Sequence, residues 1–71
     1  MTLHEHITAA KKMAAQFRAY ERERRAAGDL RTAARAATSA RIYARQARQM
    51  AQAARETSLH ERAMTLFGGA R

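Results

Sequence analysis

Glycine and proline, the residues that most often interrupt a helix, are almost absent from this 71-residue sequence. There is no proline, and the three glycines stand at positions 28, 68 and 69. Since these two residue types mark most turns, the chain has only one strong interior turn signal. The sequence therefore predicts two long helices that are joined at Gly28–Asp29.

The flanking residues support this division. Thr2 followed by Glu5 is a capping box, in which each side chain satisfies a free backbone N–H group at a helix start. Gly28 is suited to end the first helix, and Asp29 to cap the second. The helices are expected over about 3–27 and 30–56. A connection of two residues makes them antiparallel neighbours.

Apolar positions recur every three or four residues in both helices, which is typical of amphipathic helices. In the first helix they are Leu3, Ile7, Ala10, Met13, Ala14, Phe17 and Tyr20. In the second, a heptad repeat of mostly alanine predicts a coiled-coil seam of Leu30, Ala33, Ala37, Ala40, Ala44, Ala47, Ala51 and Ala54. Large side chains then face small ones, so that the two helices pack closely.

The segment after residue 56 leaves two possibilities open. Ser58 followed by Glu61 is a second capping signal, which indicates a bend at Thr57–Ser58 and a short C-terminal helix. Alternatively, the second helix runs on as an extension. In either case Leu59, Ala63, Leu66 and Phe67 extend beyond the first helix, so they need cover from a returning helix or a partner chain.

The fold class is thus all-α, an antiparallel helical hairpin forming one small domain over 1–71. Large apolar residues are scarce and there is no cysteine, so disulfides cannot compensate for a thin core. Self-association is expected, and a homodimeric four-helix bundle is the predicted assembly. Its interface is expected on a nearly uncharged face and the C-terminal segment, through Tyr20, Ala36, Tyr43, Met50, Leu59, Leu66 and Phe67.

Positive charge is the strongest functional signal. Fourteen Lys and Arg stand against six Asp and Glu, which gives a net charge of +8. At about 100° per residue, nine bases are expected on one face of the hairpin, without an acid among them: Lys11, Arg18, Arg22, Arg25, Arg31, Arg35, Arg41, Arg45 and Arg48. Ile42 is also expected there, exposed to solvent.

Such a face predicts a small regulatory or accessory protein that binds DNA or RNA through phosphate contacts. The alternative is a protein–protein interaction module, which docks an acidic partner or packs through its uncharged face. A serine nucleophile needs a base and an oxyanion site, whereas Ser39 and Ser58 are expected on a helix surface and at a helix cap. No glycine loop could cradle a phosphate. An enzyme, a small-molecule substrate and a cofactor are therefore not expected.

Two further classes receive little support from the sequence. His4, His6 and His60 invite a metal hypothesis, but the first two lie two residues apart and point away from each other on a helix. We therefore expect no metal site. No apolar run approaches a membrane span and the N-terminus lacks signal-peptide features, so a cytoplasmic protein without membrane contact is expected.

Overall fold

The chain folds into two antiparallel helices joined by a tight turn. The computed structural model describes the backbone of residues 1–68 and the side chains of residues 1–66. Helix α1 spans Leu3–Ala26 and helix α2 spans Leu30–Gly68. Together they form a rod of 66 × 18 × 12 Å. The predicted all-α helical hairpin is confirmed.

The predicted N-cap residues Thr2 and Asp29 each accept a backbone hydrogen bond. At the start of α1, the Thr2 hydroxyl accepts a hydrogen bond of 3.2 Å from the Glu5 backbone N–H. At the start of α2, Asp29 Oδ1 accepts a hydrogen bond of 3.2 Å from the Thr32 backbone N–H. Each bond satisfies one of the N–H groups that a helix leaves without an internal partner.

The turn between the helices is a Schellman motif built on Gly28. This glycine has φ +80°, a left-handed conformation that other residues adopt only with strain. The Gly28 N–H donates to the Arg25 carbonyl at 3.1 Å, and the Asp29 N–H donates to the Arg24 carbonyl at 2.9 Å. These two bonds close the last turn of α1 and direct the chain straight into α2.

Asp29 makes the turn sensitive to acid. Hydrogen bonds from the Thr32 side chain and backbone hold the pKa of Asp29 below its ordinary value of 3.8, with help from Arg24 and Arg35. A carboxyl whose pKa is lowered on folding stabilises the fold above the unfolded-state pKa, and this stabilisation disappears as the pH falls through the folded-state pKa.

The variant Asp29→Asn keeps a capping side chain but has no carboxyl to protonate. We expect its melting temperature to fall less than that of the wild type below about pH 4. Circular dichroism measures the melting temperature of the wild type and the variant at each pH. Equal falls in melting temperature for the two proteins would contradict this role of Asp29.

Helix α2 continues through Thr57–Ser58 without a break, so the predicted bend there is wrong. Ser and Thr are weak helix formers but do not stop a helix, because their hydroxyls can bond within it; for example, Thr65 Oγ1 donates to the Glu61 carbonyl at 2.9 Å. Since α2 has 39 residues and α1 has 24, the end of α2 projects beyond its partner. We call residues 57–66 the overhang.

Alanine forms the buried layer between the helices. The predicted seam is confirmed at Ala33, Ala40 and Ala47, which are 1–3% exposed. Leu30 was also predicted in the seam but is 65% exposed, because α1 has already ended at Ala26 and does not cover it. Among the residues whose side chains the structure describes, the buried ones are Ala10, Ala14, Ala33, Ala36, Ala40 and Ala47.

Ala36 corrects the predicted uncharged face. It was expected on an exposed surface for a partner, yet it is only 4% exposed. Tyr43 follows Ala36 by seven residues and lies in the same row of α2, with its ring stacked on Phe17 of α1 at 5.6 Å between centroids and 12° between planes. This stacking turns the row toward α1, so that Ala36 packs inside the hairpin.

The Phe17–Tyr43 stack is an aromatic contact between the two helices. Replacing Phe17 by Ala removes a half-buried ring from a protein whose other core residues are alanines. We expect Phe17→Ala to lower the free energy of unfolding by about 2 to 3 kcal/mol, less than a fully buried ring would lose. Urea unfolding followed by circular dichroism measures this loss. Phe17→Leu should lower the free energy of unfolding by about half as much as Phe17→Ala. A negligible effect of both changes would contradict the role of the stack.

Candidate nucleic-acid interface

The two sides of the helix–helix seam are different. On one side, the Phe17 and Tyr43 rings fill the space between α1 and α2. On the other, small side chains leave an open groove of about 850 Å³. Its lining consists of Lys11, Ala14, Ala15, Arg18, Ala44, Arg45, Ala47, Arg48, Gln49, Ala51, Gln52 and Arg55. We call this the basic groove.

Positive side chains stand on both walls of the basic groove. Lys11 and Arg18 come from α1, and Arg45, Arg48 and Arg55 come from α2. The first four belong to the predicted basic face, whereas Arg55 was expected only near the edge of the seam. All five are exposed, and no acid lines the groove. The floor between these walls is alanine, so bound groups could approach the helices closely.

The other predicted bases do not line this groove. Arg41 lies in a smaller cleft nearer the turn, which it shares with Arg18. Arg22 is exposed on α1, while Arg25 is held in an ion pair described below. Arg31 and Arg35 are exposed near the start of α2, close to the turn, and neither lines the groove. Ile42 is 50% exposed, as expected, but it does not line the groove.

Glu21 places an acid beside this surface. Its side chain is 20% exposed, and its Oε2 accepts a hydrogen bond of 2.8 Å from the Arg25 guanidinium. It lines the small cleft with Arg18 and Arg41, over Ala37 and Ala40. We call this the turn-proximal cleft. The expectation of a wholly acid-free basic face is therefore wrong at this end of the hairpin.

A second charged cluster stabilises the turn itself. The Arg24 guanidinium lies 3.7 Å from an Asp29 carboxylate oxygen and 5.8 Å from the centre of the Tyr20 ring. Arg24 Nε is buried without a hydrogen-bond partner. These contacts join the last turn of α1 to the first turn of α2. Tyr20, predicted at a dimer interface, is 43% exposed and carries Arg24 over its ring.

The remaining predicted interface residues fall into two groups. Tyr43 and Met50 are half-buried in the hairpin. Leu59 and Leu66, in contrast, are 62% and 74% exposed on the overhang. Phe67 lies outside the residues whose side chains the structure describes. Among the predicted interface residues whose side chains the structure describes, the two most exposed thus lie on the overhang.

Neither a metal centre nor a membrane-spanning helix is found in the described part of the chain. Within it, no three histidine or carboxylate side chains are grouped as metal ligands. Neither α1 nor α2, over the residues described, combines the length and apolar character needed to cross a bilayer. The histidines 4, 6 and 60 are all exposed.

The basic groove presents a row of positive side chains along α2. Along α2, Arg45 and Arg55 are ten residues apart, a distance of about 15 Å at the α-helical rise. That length corresponds to about four base-pair steps of duplex DNA. No protein-family model, curated protein or solved structure matches the chain, so this assignment depends on the geometry and charge of the groove.

Proposed function

We propose that this protein binds nucleic acid through its phosphates, in the basic groove, as a non-enzymatic regulatory or accessory protein. The observation that carries the proposal is the meeting of five bases from two helices in one groove whose lining has no acid. Arginine guanidinium groups bind phosphate oxygens with paired hydrogen bonds. A polyanion along the groove would therefore meet positive charge from both walls.

The composition of the groove favours contacts to the backbone over base recognition. Gln49 and Gln52 are the only amide side chains among its lining residues, and few groups could therefore read base edges. None of the described residues that line the groove is aromatic, so these residues offer no platform for stacked single-stranded bases. These features support recognition of a duplex or of a structured RNA through phosphate and shape.

A salt titration tests the proposal directly. The affinity of the full chain is measured by fluorescence anisotropy for a random-sequence DNA duplex and for a structured RNA. Five phosphate contacts on B-DNA predict a log–log salt slope of about −4.5, or a loss of about 500-fold between about 50 and 200 mM salt. Absence of binding to both ligands at low salt would overturn the proposal. The ligand that binds more tightly identifies the preferred nucleic acid.

One observation favours a second candidate, an acidic helix of a protein partner. Five alanines form the apolar part of the groove lining, and small residues allow a third helix to approach two others closely. The flanking bases would then pair with acids on that helix. In this case the chain would bind an acidic amphipathic peptide more tightly than a duplex of equal charge, and that comparison separates the two candidates.

We also propose that the chain forms a homodimer, with the overhang as its contact. Leu59, Ala63 and Leu66 recur at i, i+4 and i+7, so they form one stripe along the helix. The overhang carries Glu61 and Arg62 and is locally near neutral, whereas the hairpin is strongly basic and two hairpins would repel each other. Antiparallel pairing of two overhangs would cover this stripe. In the four-helix bundle along the hairpins that the sequence predicts, Tyr43 and Met50 would have to serve as contacts although each is already half-buried in its own hairpin.

A further inference from the structure

Glu21 adds an acidic side chain to the basic surface, in the turn-proximal cleft next to the basic groove. Arg18 lines both the basic groove and the turn-proximal cleft, and it therefore marks the boundary between them. On the groove side of this boundary, no lining residue is acidic. On the turn side, Glu21 lines the cleft together with Arg18 and Arg41, and its carboxylate pairs with Arg25.

The position of Glu21 makes its charge effective. Its side chain is only 20% exposed, so water screens it less than a fully exposed carboxylate. It occupies one lone pair with the Arg25 guanidinium at 2.8 Å, which reduces the positive charge that Arg25 can offer to a ligand. A phosphate group placed between Arg18 and Arg41 would also lie beside this carboxylate and be repelled by it.

We propose that Glu21 determines where the bound polyanion ends. It excludes phosphates from the turn-proximal cleft, so that the ligand is confined to the basic groove and leaves Arg25 and Arg41 without a phosphate contact. This inference rests on the proposed function and adds a specificity residue to it. The row of positive side chains is therefore longer than the binding site, and Glu21 determines which of these side chains remain without a phosphate contact.

The test is Glu21→Gln in the full chain, with Glu23→Gln as the matched control. Both changes remove one negative charge from α1 and keep a good helix-forming residue. Glu23 is exposed and two residues away, and a separation of two places it on another side of the helix. Affinity for a DNA duplex is measured as a function of salt for the wild type and both variants. Circular dichroism verifies the fold; loss of one exposed i, i+4 ion pair costs little.

We expect Glu21→Gln to bind about tenfold more tightly at low salt, with a slope steeper by about 0.9 for each phosphate gained. Glu23→Gln should keep the wild-type slope and change the affinity less than about twofold. Identical slopes for Glu21→Gln and Glu23→Gln, with salt-dependent binding by the wild type, would overturn the inference and leave the proposed function intact. Absence of binding by the wild type would overturn both.

Arg41 supplies an independent readout. If Glu21 excludes phosphates from the turn-proximal cleft, Arg41→Gln should weaken duplex binding less than about twofold in the wild type. In the Glu21→Gln background, the same change should weaken binding about fivefold or more. Equal effects of Arg41→Gln in the two backgrounds would show that Glu21 and Arg41 act independently, and would contradict the inference.

Discussion

Reversing the charge of Arg45 and Arg48 should weaken nucleic-acid binding about a hundredfold at low salt and make its salt dependence shallower. The two side chains lie on the α2 wall of the basic groove, where glutamates would repel the phosphates that the arginines attract. Because both positions are exposed on a helix, the double variant Arg45→Glu, Arg48→Glu should remain folded. Fluorescence anisotropy with the duplex measures the loss.

The matched control is Arg31→Glu, Arg35→Glu. This double change alters the net charge by the same amount on the same helix, but at exposed positions outside the lining of the basic groove. We expect it to weaken binding less than about fivefold, through the general field of the protein. If both double variants lost affinity equally, net charge rather than the groove would account for binding.

Disrupting the overhang should abolish self-association. Leu59 and Leu66 are 62% and 74% exposed in the single chain, and each contributes about 1.5 to 3 kcal/mol where it is buried in a contact. A homodimer buries both residues from each copy, so Leu59→Glu, Leu66→Glu should raise the dissociation constant more than about a hundredfold. Sedimentation equilibrium of the wild type and the variant measures the change.

Met64 offers a control on the same segment. It is 60% exposed but lies five residues after Leu59, on another side of α2. Met64→Glu should leave the association constant within about threefold of the wild type. A wild-type chain that stays monomeric at concentrations of about 100 μM would contradict the dimer proposal.

The elements of the fold that depend on local chemistry were predictable from the sequence. Thr2, Gly28 and Asp29 each satisfy backbone groups within a few residues of themselves, so their roles follow from residue type and position. The alanine seam also follows, since it depends only on helical periodicity. The bend at Thr57–Ser58 was predicted from a capping signal, but such a signal does not break a helix without glycine or proline to disfavour its continuation.

The rotation of the helices about their own axes was harder to predict. The Phe17–Tyr43 stack depends on how two large rings share the space between α1 and α2, which periodicity alone does not determine. Because the two rings occupy one side of the helix–helix seam, Ala36 is turned into the core. The other side, which is lined by alanines, is left open as the basic groove. Five bases line the groove because they border its open side, whereas Arg41, which is nearer the turn, lines a separate cleft.

A signal for Glu21 was present in the sequence. It follows Ala14 by seven residues, and a spacing of seven returns to the same side of a helix. Because Ala14 belongs to the buried stripe of α1, Glu21 had to face α2. The prediction of an acid-free basic face considered only the positions that flank the apolar stripe of α1, whereas Glu21 lies within that stripe.

The unbroken course of α2 makes it a spacer of fixed length. From Arg48 in the groove to Leu59 on the overhang is eleven residues, about 16 Å along a helix that contains no interior glycine or proline. Any partner held at the overhang is therefore kept at a constant distance and angle from any ligand in the groove. One inserted residue between the two would rotate them relative to each other by about 100°. The rotation of the overhang relative to the basic groove, about the axis of α2, is thus fixed by the number of residues between them.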